Sequence, residues 1–217
     1  MAGRSQAIFT QSNNIIGSLN LLFGIKKYCP TAHLIKLGTM GVYGTPNIDI
    51  EEGWIDIKHK NREDRVLFPK KPGSFYHLSK VHDSNNLEYA ARTWGLKITD
   101  LNQGIVYGSH TSLSKNKGLH TSFHYDSIFG TAINRFIAQG ISKRPLTIYG
   151  SGNQTRAYLH IDDVIQCITI ALENPPNSGE FKVRNQFTEY KSIKDLANIT
   201  SDALKEMNIN CVLENID

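Results

Sequence analysis

The chain has 217 residues, 40% of them apolar and 20% charged, with only seven prolines. That length and balance suit one ordinary globular domain or one with a small added lobe, and they exclude a disordered or fibrous chain. Twenty-four basic against 20 acidic residues leave +4, but the basic residues are scattered. Lys26-Lys27, Lys70-Lys71 and Lys143-Arg144 are the only adjacent pairs, so no nucleic-acid partner is expected. No apolar run approaches the ~20 residues needed to cross a bilayer, so no membrane partner is expected either. The N-terminal residues carry neither an apolar signal core nor an Arg/Ser-rich transit pattern. Cys29, Cys167 and Cys211 are odd in number and far apart, which argues against a disulfide framework and fits a reducing compartment.

Two periodicities alternate along the chain. Ile8, Ile15, Leu19, Leu22 and Phe23 recur mostly at threes and fours, predicting an amphipathic helix over 5–28, stopped by Pro30. His33 to Leu37 reads as a short buried strand closed by Gly38 and Gly41. Residues 45–72 lack a helical period and carry Pro46, Pro69 and Pro72, so a long loop or a small hairpin is expected. A helix from Ser74 to Trp94, ended by Gly95, precedes a strand at Lys97–Leu101. After Gly108 a polar stretch runs to about Tyr125 and is expected to be mobile and exposed. Then come a helix over about Asp126–Gln139, a strand at Leu146–Tyr149, a helix over Asp162–Glu173, a strand at Phe181–Val183 and a helix from Ile193 to about Met207. Strands alternating with helices imply an α/β fold with a parallel sheet covered on both faces.

Tyr76 and Lys80 stand four apart on the second predicted helix, so both project from one face. An ammonium there favours the phenolate, which can act as a general base. Thr39, 37 residues upstream and just past a predicted strand, offers a hydroxyl to hold a substrate oxygen beside the phenol. The plainer alternative is a surface tyrosine and a solvated lysine. His77, next to Tyr76, reads either as a proton shuttle or as a packed side chain. His120 and His124 share an i, i+4 spacing but lack a third ligand, so no metal site is expected. Asp162-Asp163 reads as negative charge at a helix N-terminus.

With Thr39, Tyr76 and Lys80 so placed, the chain resembles the extended short-chain dehydrogenase/reductases acting on nucleotide sugars, the NAD-dependent epimerase/dehydratase family. Asn13-Asn14-Ile15-Ile16-Gly17-Ser18-Leu19, Val42-Tyr43-Gly44, Ile148-Tyr149-Gly150 and Gln154-Thr155-Arg156-Ala157-Tyr158 carry that resemblance. Other runs are similar to its sulfoquinovose-synthase branch. They include Lys36-Leu37-Gly38-Thr39-Met40-Gly41, Ser74-Phe75-Tyr76-His77-Leu78-Ser79-Lys80, Asp100-Leu101-Asn102-Gln103-Gly104, Phe129-Gly130-Thr131-Ala132 and Asn185-Gln186-Phe187-Thr188-Glu189. The resemblance implies a partial Rossmann-like parallel sheet with a small C-terminal substrate-binding region. Residues 1–108 would be the later part of the dinucleotide-binding domain, and 109–217 mainly the substrate-binding region with interleaved sheet elements. It implies NAD as cofactor, with Tyr76, Lys80, Val106 and Asn14 at the cofactor. Thr39, Gln103, Thr131, Ala132, Tyr149 and Arg156 would meet the substrate. UDP-glucose and sulfite would be the small-molecule partners, and a homodimer the assembly. The implied chemistry is oxidation at C4 with Tyr76 as base, loss of water across C5 and C6, addition of sulfite at C6, and reduction. Alternatives are a UDP-sugar 4-epimerase or dehydratase, or a non-catalytic fragment that takes its cofactor half from a partner.

Several features depart from that pattern. Gly38-x-x-Gly41-x-x-Gly44 imitates a dinucleotide fingerprint, but Pro46 and a loop follow it where a helix should open, so it reads as a decoy. The true fingerprint is expected before Met1, in a part containing two βαβ units, and the 217 residues alone are expected to bind NAD weakly. The compartment would be cytoplasmic, or a plastid if that part carried a transit peptide. Val42 stands where the branch has glutamate, so Val42→Glu is expected to speed the elimination. Ala157 and His160 stand where it has glycine and aspartate, with small expected effects on the cleft.

Overall fold

The computed structural model describes residues 4–115, 118–120, 122–126 and 130–216. They form two compact units, one running to Gly104 and returning for Gln166–Gln186, the other made of Ile105–Ile165 and the chain from Phe187 onward.

The first unit opens with α1 (Arg4–Tyr28), followed by β1 (His33–Thr39) and a 3-10 turn over Met40–Tyr43. The 45–72 segment holds a hairpin of β2 (Trp54–His59) and β3 (Arg62–Leu67). Then come α2 (Phe75–Trp94) and β4 (Lys97–Gln103). Ser74 caps α2 by accepting the His77 N–H at 3.2 Å, a contact worth about 1 kcal/mol. Gly95 ends the helix at φ 71°, a left-handed geometry that glycine adopts without strain. The second unit holds β5 (Ile105–Tyr107), α3 (Ser112–Lys115), α4 (Ala132–Ile141), β6 (Leu146–Tyr149) and β7 (Thr155–His160). α5 (Ile161–Glu173) returns the chain to the first unit for β8 (Phe181–Gln186), and β9 (Glu189–Ser192), α6 (Ile193–Glu206) and β10 (Leu213–Ile216) complete the second.

The sheet of the first unit has the order β1-β4-β8, all parallel. In the second unit β5-β7-β9 is mixed, with β7 and β9 antiparallel, and β6 pairs with β10 in parallel. The expected parallel α/β pattern therefore holds for the first unit, and an antiparallel pair joins it in the second. Sequence pattern alone does not show β5, β7, β9 and β10: β5 is only three residues long, and the other three interleave polar with apolar residues over four to six. α4 begins six residues later than the expected Asp126, because Thr131 Oγ1 accepts the Asn134 N–H and caps the helix there. Residues 127–129, part of that expected helix and of the Phe129-Gly130-Thr131-Ala132 run, lie outside the described residues.

β4 is the central strand and is buried from Ile98 to Gln103. Leu22 and Ile25 of α1 pack with Leu87, Ala90 and Ala91 of α2 over Ile98, Phe181 and Val183 of the sheet. Burying a large apolar side chain of this kind contributes roughly 1.5–3 kcal/mol. β1 flanks β4 in the described sheet, and none of its residues is fully buried. A polar seat lies within the α2–sheet contact. Lys36 Nζ of β1 donates to Asp100 Oδ2 (3.1 Å), Ser84 Oγ (2.9 Å) and the backbone oxygen of Lys80 (3.2 Å). Ser84 Oγ lies 2.6 Å from the same Asp100 oxygen. The ammonium's three protons thus meet three acceptors, and Asp100 is fully buried.

Lys36→Met should lower unfolding stability by about 3–5 kcal/mol, because it leaves the Asp100 carboxylate buried without its cation. Adding Asp100→Leu should recover most of that loss, as read by urea unfolding. A single variant as stable as the parent would contradict the seat.

Candidate active site

The carboxyl ends of parallel strands are where ligands bind in open α/β sheets. In the first unit Thr39 and Gln103 are register partners at that end, on β1 and β4. Thr39 Oγ1 accepts the Gly41 N–H at 3.1 Å, which turns the chain into the 3-10 segment. Gln103 Nε2 donates to Gln186 Oε1 of β8 at 3.2 Å.

Tyr76 and Lys80 lie one turn apart on α2, as the spacing predicts. Tyr76 is half exposed, and Lys80 Nζ sits 6.0 Å from its ring centre. Their neighbour Ser79 donates to the Tyr76 carbonyl (2.7 Å) and accepts from Asn14 Nδ2 of α1 (2.9 Å). Asn14 therefore fastens α1 to the turn that bears the pair. Partial burial pushes the Tyr76 phenol above its ordinary value, and the charge of Asp83 adds to that. This differs from the depressed phenol expected from spacing alone. At 6.0 Å from the ring centre the ammonium does not outweigh burial and Asp83.

His77 links α2 to the turn after Thr39. Its Nδ1 lies 3.1 Å from Ser74 Oγ, and its ring lies flush on Gly41, where a Cβ would stand 2.3 Å from Nε2. Only glycine at 41 lets the two segments meet. That makes the three glycines packing and turn residues, in keeping with their reading as a decoy fingerprint. Gly38 packs under Asp100 and Asn102, and Gly44 turns at φ 66° against the Lys71 carbonyl.

Val42 overturns one expectation. It is fully buried with Tyr43, Phe68 and Val81 in an apolar cluster of the first unit. A carboxylate there loses its hydration without a partner, so Val42→Glu is expected to destabilise the fold and not to speed a reaction.

The remaining candidates lie in the second unit. Val106 and Thr131 line a cavity of about 380 Å³ with Tyr107, Phe123, Asn134 and Ile161. Ala132 packs against the core of Phe136, Leu146, Ile148 and Tyr158. Tyr149 of β6 is half exposed, with the Arg135 guanidinium 4.6 Å from its ring centre. Arg156 of β7 is exposed, and its Nη1 donates to the Thr155 carbonyl at 2.8 Å. His160 packs on Tyr107 and accepts the Asp162 N–H at 3.2 Å. Among the described residues no three His, Cys, Asp or Glu side chains come together as metal ligands. Sequence reasoning missed Arg135, whose stacking on Tyr149 depends on a helix–strand contact that no local spacing signals.

A family model described as the NAD dependent epimerase/dehydratase family matches residues 3–185. The chain is 52% identical over 211 residues to the chloroplastic UDP-sulfoquinovose synthase of Spinacia oleracea, covering 97% of this chain and 44% of that protein. It is 39% identical to the UDP-sulfoquinovose synthase of Sulfolobus acidocaldarius, covering 97% of this chain and 54% of that one. The chain thus spans about half the length of the curated relatives it matches. Among solved structures, the UDP-glucuronic acid 4-epimerase of Bacillus cereus, in complex with UDP-glucuronic acid and NAD, superposes with a TM-score of 0.71 at 24% identity. That match covers 95% of this chain and 55% of the other, and it establishes the shared fold. On the extent of the family match and the placement of Thr39, Tyr76 and Lys80, this chain belongs to the NAD-dependent epimerase/dehydratase family.

Proposed function

We propose that the protein to which this chain belongs converts UDP-glucose and sulfite to UDP-sulfoquinovose with NAD. The reading rests on the presence of Thr39, Tyr76 and Lys80 in a chain 52% identical to a UDP-sulfoquinovose synthase. Residues 1–108 serve the dinucleotide side and 109–217 mainly the sugar nucleotide.

The residues present suit a dinucleotide. Tyr76 is half exposed, and among the described residues the Lys80 ammonium makes no ion pair, so both groups remain available to a ribose and a nicotinamide. Val106 and Asn14 complete the proposed cofactor contacts. When bound, NAD supplies removal of a hydride at C4 and its later return. Tyr76 Oη takes the proton of the C4 hydroxyl, and the Lys80 charge favours the phenolate once cofactor and sugar exclude water. Thr39 Oγ1 holds the sugar oxygen. The ketone at C4 acidifies C5, water leaves across C5 and C6, and the sulfite sulfur forms the new bond at C6. Hydride lent and returned leaves the carbon skeleton with no net redox change beyond exchange of hydroxyl for sulfonate. Gln103, Thr131, Ala132, Tyr149 and Arg156 hold the nucleotide sugar, with the Arg156 fork suited to a diphosphate. The compartment is a reducing one, cytoplasmic or plastidic. No described helix is long and apolar enough to cross a membrane.

The assembly is a homodimer joined through α1. Phe9, Ile16 and Phe23 recur every seven residues and are exposed, on a different face from the buried Ala7, Leu22 and Ile25. A 25-residue helix is about 37 Å long, a span that suits an interface of standard size, about 800 Å² per partner. Ile16→Glu should convert the dimer to monomer in sedimentation; an unaltered mass would overturn this assembly.

In the full-length protein with NAD, UDP-glucose and sulfite, Tyr76→Phe should cut turnover about 10²–10⁴-fold with little change in the circular dichroism melt. Chromatography with mass spectrometry of the parent's products should find UDP-sulfoquinovose. UDP-galactose as sole product would move the assignment to the 4-epimerase reading.

The pH profile carries a signed expectation. Activity requires the phenolate, and partial burial, with the charge of Asp83 added, raises the phenol, so activity rises with pH toward the alkaline side. Asp83→Asn should move that limb to lower pH at similar stability. A limb that stays in place would remove Tyr76 as the titrating base.

A further inference from the structure

Thr39, Gln103 and Gln186 form the last rung of the first unit's sheet. Thr39 of β1 is the register partner of Gln103 of β4, and Gln103 is that of Gln186 of β8. The Gly104 N–H donates to the Gln186 carbonyl at 2.8 Å, so the pairing holds to the strand ends. Register partners in a parallel pair send their side chains to the same face, and neighbouring strands lie about 4.8 Å apart. Three polar side chains therefore stand in one row, about 10 Å from the first strand to the third. One rung back on that face is the fully buried Leu101. The polar row thus begins where the strands end, and that end is where open α/β sheets take their ligands.

The two glutamines are only 8% and 7% exposed. Gln103 Nε2 donates to Gln186 Oε1 at 3.2 Å, which engages one polar atom of each amide. Among the described residues the other two, Gln103 Oε1 and Gln186 Nε2, take no hydrogen bond, and neither is fully enclosed. The pair thus presents an acceptor beside a donor, and turning both amides over keeps that pattern. Fixing two glutamine side chains costs more rotamer freedom than one neutral hydrogen bond returns. Joining β4 to β8 does not by itself account for them. With the Thr39 hydroxyl next in the row, the pattern matches neighbouring hydroxyls, each of which donates and accepts. The three side chains carry no charge, so they suit a neutral polyol and offer a phosphate no cation.

We propose that Gln186 is a further substrate-binding residue, which with Gln103 and Thr39 reads the hydroxyls of the hexose. The inference rests on the sugar-nucleotide reading above and extends it: it adds a residue of β8 and assigns the row to the sugar, not to the diphosphate. Gln186 acts through both ends of its amide. Its oxygen holds the Gln103 amide in one orientation, and its nitrogen meets a sugar hydroxyl. Specificity follows, because a sugar that turns that hydroxyl away leaves a desolvated amide group unpaired.

The test is calorimetric titration of the full-length protein, loaded with NAD, with UDP and with UDP-glucose. Gln186→Met keeps the length of the side chain and should weaken UDP-glucose binding about three- to tenfold while leaving UDP binding unchanged. Equal weakening of both ligands, or of neither, would overturn the inference, because a side chain that only packs the strands has no preference for the sugar. If Gln186→Met fails to fold, a crystal structure of the parent with NAD and UDP-glucose decides. A sugar oxygen within about 3.2 Å of the Gln186 amide supports the assignment, and a wider separation overturns it. Product analysis keeps this apart from the reaction. A parent that binds UDP-glucose more tightly than UDP but forms no UDP-sulfoquinovose would overturn the reaction and leave the row in place.

Discussion

The buried pair of Lys36 and Asp100 sets the geometry on which the rest of the first unit depends. Apolar packing holds α2 on the sheet, but it is non-directional and tolerates small rotations and slides. The Lys36 ammonium has direction, with one proton to Asp100, one to Ser84 and one to the Lys80 carbonyl. The last of these fixes the helical turn whose side chains are Tyr76 and Lys80. An ion pair seldom adds much net stability once desolvation is counted. What it adds here is a single rotational setting of α2, and α1 reinforces the same turn through Asn14 and Ser79.

The glycines at 38, 41 and 44 are the counterpart of that setting. At each, the space of a side chain is occupied by something else: two β4 side chains, an imidazole and a backbone carbonyl. The strand end that carries Thr39 is therefore crowded from three sides, and its hydroxyl is the polar side chain that emerges from it. The spacing that imitates a phosphate-binding loop is a consequence of close packing.

Much of this was legible in the sequence. α1, β1, α2, β4, β6, α5, β8 and α6 follow from apolar period, caps and breakers, and Thr39, Tyr76 and Lys80 from strand end and helical spacing. What local pattern could not supply was pairing across the chain. β7 and β9 are strands because each finds the other, and Arg135 matters because Tyr149 comes to it. The direction of the phenol's shift is not legible from local pattern for the same reason. Spacing placed Lys80 near Tyr76 but could not weigh burial or Asp83 against it.

Val42 shows how a sequence difference changes meaning once burial is known. As a letter beside Thr39, it looks like a missing proton carrier. As a side chain it belongs to the apolar cluster under the hairpin, with Phe68 and Val81. A buried position of this kind responds to volume and hydration, and it transfers no proton to a sugar. Under the proposed reaction, the choice between returning the hydride at once and first losing water at C6 therefore falls to groups that reach the ligand. In the first unit those are the Thr39 hydroxyl, the half-exposed Tyr76, and the side chains that set the turn between them. Of the latter, His77 is held by Ser74 on one side and Gly41 on the other, so a change at any of the three would shift the distance between base and hydroxyl.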